Sequence, residues 1–267
     1  MNLSSKNKIY LTFSALAALV LLFSFVVLNQ GERIKWHSTE IETNWLPGVE
    51  SINLMRSAIS NYRATEISHA ATDQESLKAE YTQILTSLNE EFLLAKEKYE
   101  PTIRSYAVKE NALWKQYIKN YDAYMLASKK VIAMSQNNEK EKALNQIRTN
   151  EGLYNSVIEY SILLVDLNSN AGNEEATKGN EVFDATKVQL IGGVIVIMLV
   201  MIIMGFLLSY GEIKQKDSHL IAKARKNAFY TFFLLSVILV IFTGLMYLQL
   251  NKVNEQINEL KNKWLPS

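Results

Sequence analysis

Two arginines seven residues apart, Arg56 and Arg63, are the side chains of this 267-residue chain best suited to hold a charged solute. A guanidinium grips a planar carboxylate through two parallel hydrogen bonds. Tyr62 and Glu66 lie within one helical turn of Arg63, so Arg56, Tyr62, Arg63 and Glu66 form the candidate ligand-binding set. An anionic amino acid or another organic acid suits that chemistry. A plainer reading competes with it, in which Arg63 pairs with Glu66 three residues on and Arg56 is a solvated flank.

Other residues offer less. Trp114, Tyr117, Tyr121 and Tyr124 recur at helical spacing and suit either a cavity for aromatic compounds or a bundle core. His37, His69 and His219 are scattered, and no HExxH, nucleophile elbow or phosphate-binding glycine loop occurs. His37 with Glu40 or Glu42 offers too few ligands for a structural metal. With no cysteine there is no thiolate ligand, thiol nucleophile or disulfide. The sequence therefore predicts no enzyme, no metal site and no cofactor. It also lacks the basic stripe of a nucleic-acid binder.

The arginines sit in a helical stretch, residues 41–69. Ile41, Trp45, Val49, Ile52, Ile59 and Tyr62 recur at steps of three and four, with Met55 or Arg56 filling the gap. Pro47 lies inside the run and predicts a kink just above it.

Three apolar runs, at residues 9–28, 188–208 and 229–248, carry no charge and are each about as long as a helix needs to cross a bilayer core of about 30 Å. Residues 29–187, between the first two, carry 18 basic and 23 acidic side chains. Lys6 and Lys8 precede the first run, and Lys214, Lys216, Lys223, Arg225 and Lys226 lie between the second and third. Basic residues in short loops stay on the cytoplasmic side. The expected topology is thus a cytoplasmic N-terminus (1–8), a span (9–28), an external segment (29–187), a span (188–208), a cytoplasmic basic loop (209–228), a span (229–248) and an external tail (249–267). The expected fold is all-α, a membrane protein with three transmembrane helices and a periplasmic up-down antiparallel four-helix bundle.

Within 29–187, the first helix runs to about Thr72 and Asp73 is the expected N-cap of the second. The second helix shows Leu77, Tyr81, Ile84, Leu88, Phe92, Ala95, Tyr99 and Ile103. Pro101 suggests a stop, but antiparallel neighbours of matched length favour a turn at residues 105–106, with Pro101 bending the last turns. The third helix presents Trp114, Tyr117, Tyr121, Tyr124, Ser128, Val131 and Met134, and a turn follows at residues 136–138. Asn138 and Glu141 read as a capping box for the fourth helix. That helix carries Ile147, Tyr154, Ile158, Ile162, Val165 and Leu167, and is weakest at residues 168–173, NSNAGN.

One repeat stands out. Residues 10–48 and 229–267 align without gaps at an offset of 219, each an apolar run, a polar helical stretch and then Trp-Leu-Pro. The tail reads as the start of a second, incomplete copy of the domain that follows the first run. Its stripe of Leu250, Val253, Ile257, Leu260 and Trp264 is expected on a helix that projects from the third span and frays toward Trp264.

The stretch NWLPGVESINLMRSAISNYRATEISH resembles the opening helix of the four-helix-bundle ligand-sensing domain of bacterial methyl-accepting chemotaxis proteins. The family pattern falls on Asn44, Trp45, Leu46, Pro47, Met55, Arg56, Tyr62, Arg63, Glu66 and His69. The likeness continues through ALWKQYIKNYDAYMLASKKVIAMSQNNEKEKAL and covers roughly residues 9–208. It implies a sensory receptor of the bacterial inner membrane that binds a small solute, works as a homodimer and transmits a displacement of its fourth helix across the bilayer. Members usually follow the second span with a HAMP linker and a signalling coiled coil. Here residues 209–228 contain no proline and lead into a third span, so the chain is expected to be the sensor region of a receptor. Two alternatives stay open: a non-sensing membrane scaffold or dimerisation module, and the sensor of an enzyme-coupled receptor whose catalytic part lies beyond Ser267.

Overall fold

The computed structural model describes residues 5–211 and 218–264, and all regular elements among them are helical. The basic loop at Lys214 and Lys216 and the end of the second Trp-Leu-Pro lie outside the described residues. The chain divides into two compact units, Met1–Ser38 with Ala176–Glu259, and Thr39–Glu175 with Leu260–Ser267.

The second unit holds the bundle. After helix α1 (Ser5–Glu40), a π-helical turn spans Ile41–Trp45, and the Leu46 N–H donates to Ile41 O, five residues back. Pro47 cannot donate to the carbonyl four residues before it, and the wide turn absorbs that loss. The distortion expected near Pro47 is this turn. α2 (Leu46–Ala71) ends where Thr72 turns extended. Asp73 does not cap the next helix. Gln74 takes that position without a side-chain cap bond, Thr72 Oγ1 accepts from the Gln74 N–H, and Asp73 meets Lys140 Nζ at 3.0 Å.

α3 (Glu75–Tyr99) stops before Pro101, where Glu100–Thr102 tightens into a 3-10 turn, and the chain reverses over residues 103–107. The reversal is where length matching placed it. Regular helix does not reach it, because a proline ring and its missing N–H exclude the α-helical bond pattern. α4 (Val108–Gln136) buries Trp114, Tyr117, Tyr121, Tyr124, Ser128 and Val131 as its periodicity predicts.

Asn138 follows with φ of 59°, in the left-handed region that asparagine tolerates, and its side-chain oxygen accepts from Lys78 Nζ. It is therefore a turn residue and not half of a capping box; Glu139 precedes the next helix without a side-chain cap bond. The fourth helix is split. α5 (Lys140–Thr149) ends at Asn150, and α6 (Glu151–Gly211) then runs without interruption. The weak point expected at residues 168–173 is continuous helix, because Asn168 is buried and its amide is bonded to Leu164 O and to Glu110. Tertiary contacts override low propensity there.

Side chains of α2, α3, α4 and α6 meet in one core around Ile52, Met55, Phe92, Tyr117, Tyr124 and Leu164. Phe92 stacks on Tyr121 at 3.7 Å and Tyr99 packs edgewise on Trp114 at 4.8 Å, so α3 and α4 run antiparallel. Tyr62 meets Tyr124 while Ser135 bonds His69, so α2 and α4 run in the same direction. Ile84 and Ile162, expected in the core, are 38% and 42% exposed. Leu85 takes the place on α3. On α6 the buried face runs through Val157, Ser161, Leu164 and Asn168, half of it polar and invisible to an apolar count.

In the first unit, α1, α6 and α7 (Ser218–Trp264) are each long and apolar enough to cross a membrane. Leu16, Ile197, Met201 and Phe232 form its buried cluster. Gly193 lets α1 and α6 approach closely, since a Cβ there would overlap the ring of Phe23. The polar end of α7 does not project. Leu250 and Ile257 are buried, Ile257 against Gly179, and Asn180 Nδ2 donates to Asn258 Oδ1 at 3.0 Å. Gly31 and Gly179 leave room for this stripe, and hydropathy alone does not show such room.

Candidate functional site

Of the four candidate ligand-binding residues, three come together. Arg63 Nη1 lies 3.0 Å from Glu66 Oε2, and Nη2 donates to Ile147 O at 2.7 Å. The guanidinium also lies 5.6 Å from the centre of the Tyr154 ring, within cation–π range. Glu66 is fully buried, and its Oε2 accepts a second bond from Tyr124 OH at 3.0 Å. Tyr62 packs edgewise on Tyr124 and accepts from Ser128 Oγ at 3.2 Å. Arg56 is engaged elsewhere, donating to Asn53 Oδ1 at 2.8 Å. The i,i+3 pairing of the plainer reading is thus present, but in a buried setting.

Burial sets the electrostatics. It raises the Tyr124 hydroxyl pKa, and the neighbouring Glu66 carboxylate adds to that rise. Tyr62 is likewise raised by burial, partly offset by the Ser128 hydrogen bond. Both phenols therefore stay protonated, so Tyr124 can donate to Glu66. Glu66 Oε1 is buried without a hydrogen-bond partner, an acceptor that an incoming donor would satisfy. Tyr154 also lines a surface groove of about 400 Å³ with Ile158 and Ile162.

A second polar layer draws one residue from each of the four core helices. Tyr99 OH of α3 donates to Glu110 Oε1 of α4 at 2.7 Å, and Asn168 Nδ2 of α6 reaches the same oxygen at 3.1 Å. Gly48 of α2 closes the layer, since a Cβ there would stand 2.6 Å from Asn168 Oδ1. Burial and the Glu110 charge raise the Tyr99 pKa.

A third group gathers around His69, which sequence reasoning passed over as scattered. Ser135 Oγ donates to His69 O at 2.8 Å, so His69 Nδ1, 2.8 Å from the same hydroxyl, is the donor in that contact. Nε2 lies 3.2 Å from Thr82 Oγ1, a hydroxyl that gives its own proton to Lys78 O at 2.8 Å. Burial, reinforced by Lys78, lowers the imidazole pKa. The available signal was that Tyr62, Glu66 and His69 recur at steps of four and three on one helical face. Among the described residues no cluster of three or more His, Asp or Glu side chains forms a metal-binding arrangement.

The described residues thus hold three buried polar groups inside a helical bundle, in a chain that also carries helices long and apolar enough to cross a membrane. The chain belongs to the family described as the four helix bundle sensory module for signal transduction, whose pattern matches residues 2–183. That family is one of signalling sensors and not of enzymes. The chain is also similar to the "Putative sensory transducer protein YvaQ" of Bacillus subtilis (strain 168), 24% identical over 187 residues. The match covers 68% of this chain and 32% of that protein, so the chain spans about a third of its relative's length. No solved structure matches the chain.

Proposed function

We propose that the chain is the sensory region of a chemoreceptor-like membrane protein. The bundle lies outside the cytoplasm in the bacterial inner membrane, takes a small solute, and passes its presence on as a displacement of α6. The observation that carries this reading is that α6, a single helix, supplies both Leu164 to the bundle core and Ile197 and Met201 to the cluster among the membrane-length helices. A ligand that shifts α6 within the bundle acts on the same continuous helix that enters that cluster.

Arg63, Glu66 and Tyr62 are the proposed contacts, with Arg56 a turn or two away. A carboxylate of the solute takes Arg63, while an ammonium or hydroxyl satisfies Glu66 Oε1. Such a solute competes with the internal ion pair and loosens α2 from Tyr124 of α4. Thermal-shift measurement of the full chain in detergent, against amino acids, organic acids and aromatics, tests this. A solute at one hundred times its dissociation constant adds about 2.7 kcal/mol. Stabilisation by no solute, together with strong self-association, would favour the scaffold reading.

A further inference from the structure

The helices α1 and α7 belong to the two sequence repeats, which align at an offset of 219, and in the first unit they meet at that same offset. The rings of Phe13 and Phe232 stack with centroids 5.4 Å apart and planes 4° from parallel. A Cβ at Gly31 would stand 3.5 Å from Leu250 Cδ2. Between these contacts a cavity of about 310 Å³ is lined by further matched residues, Val20 with Leu239, Ser24 with Thr243, and Val27 with Met246.

With Leu16 and Leu235, and Phe23 and Phe242, which line the same cavity, the matched positions on α1 are 13, 16, 20, 23, 24, 27 and 31, and apart from 23 beside 24 they advance by three or four residues. That is the spacing of a parallel two-helix seam, in which equivalent positions face each other. The stretch spans about 27 Å at the α-helical rise, so the helices run side by side and level. Two spans running in one direction are free to meet at any rotation about their axes. Here the repeat presents the same face from both sides. A two-fold contact between identical copies has this property, each residue meeting its own equivalent.

We propose that α7 is an intrachain partner for α1 and takes the place that a second copy's α1 would fill. The seam closes within one chain at both of its ends, and a homodimer of the full chain meets through a surface other than this face of α1. The chain has no cysteine, so introduced thiols report alone. The test uses the full chain in native membranes, with two differently tagged copies co-expressed and a mild oxidant added. Gly31→Cys/Leu250→Cys and Ser24→Cys/Thr243→Cys sample the seam at two levels. The Cβ at residue 31 makes only ordinary contact with Leu250, so the fold tolerates it. At least one pair is expected to close within a single chain, detected as the linked peptide by mass spectrometry at monomer mass. Gly31→Cys alone is expected to give no linked dimer. A dimer from Gly31→Cys alone, or failure of both pairs to close within the chain, overturns the proposal.

Discussion

Arg63 Nη1 stands 3.0 Å from Glu66 Oε2 on the same helix, and the carboxylate it meets is fully buried. An exposed helical pair at this spacing contributes about 0.2–0.5 kcal/mol. Here Arg63 also holds Ile147 O, and Glu66 also holds Tyr124. Removing one member of a buried pair costs about 3–5 kcal/mol, because the other charge is left stranded. Arg63→Ala is expected to lower stability in denaturant titration by about 3 kcal/mol. The double variant Arg63→Met/Glu66→Leu should lose much less. A loss below about 0.5 kcal/mol for the single variant would mean that water screens the pair.

Gly48 and Asn168 make a second case. Gly48→Ala puts a methyl group 2.6 Å from Asn168 Oδ1, and that asparagine cannot retreat without releasing Glu110 and Leu164 O. Asn168→Leu removes the amide and leaves Glu110 with Tyr99 alone on Oε1. Each variant is expected to cost about 1–3 kcal/mol, the scale of an unsatisfied buried polar group. Thermal melts of the solubilised chain check this, and unchanged melting of both variants would show that the layer is not held together as described.

His69 gives the bundle a pH dependence. Its folded pKa lies below the ordinary 6.5 because it is buried and faces Lys78, with Glu75 opposing weakly. The unfolded chain therefore takes up a proton at a higher pH than the folded one. Stability from this group is present above about 6.5 and is lost as pH falls through the folded value. Melting temperature should decline between pH 7.5 and pH 5.5, and His69→Gln should flatten that decline. An identical slope in the variant would assign the dependence to other groups.

What the sequence showed and hid follows from one physical distinction. The aromatic face of α4, Trp114 through Tyr124, was legible because large side chains at helical period have one place to go. The buried face of α6 was not, since Ser161 and Asn168 count as polar although their partners bury them. The candidate set was legible in part: Arg63, Glu66 and Tyr62 share a face, whereas nothing local announced that Tyr124 and Ile147 O would reach them from other helices. The docking of α7 was hidden for a related reason. Gly31 and Gly179 add no hydropathy, and their role is the space they leave for Leu250 and Ile257.

The last prediction concerns topology, on which the sensor reading depends. Among the described residues three helices are long and apolar enough to cross a membrane, and if all three cross, residues before the first and after the third lie on opposite sides. The short basic segments, Lys6 with Lys8 and the five basic residues between the second and third runs, both favour the cytoplasm. The 159-residue segment between the first two runs is long enough that its own charges carry little weight. Reporter fusions at residues 29–31 and at Gln136 are therefore expected to read external, and a fusion at Lys216 cytoplasmic. A fusion at Asn262 should read external, because α7 has by then crossed once more. A cytoplasmic signal at Gln136 would place Arg63 and Glu66 out of reach of any external solute and end the chemoreceptor reading. A cytoplasmic signal at Asn262 alone would instead mean that α7 does not cross. Its match with α1 at Phe13 and Phe232 would then fail inside the membrane, and the cysteine pairs would stay open.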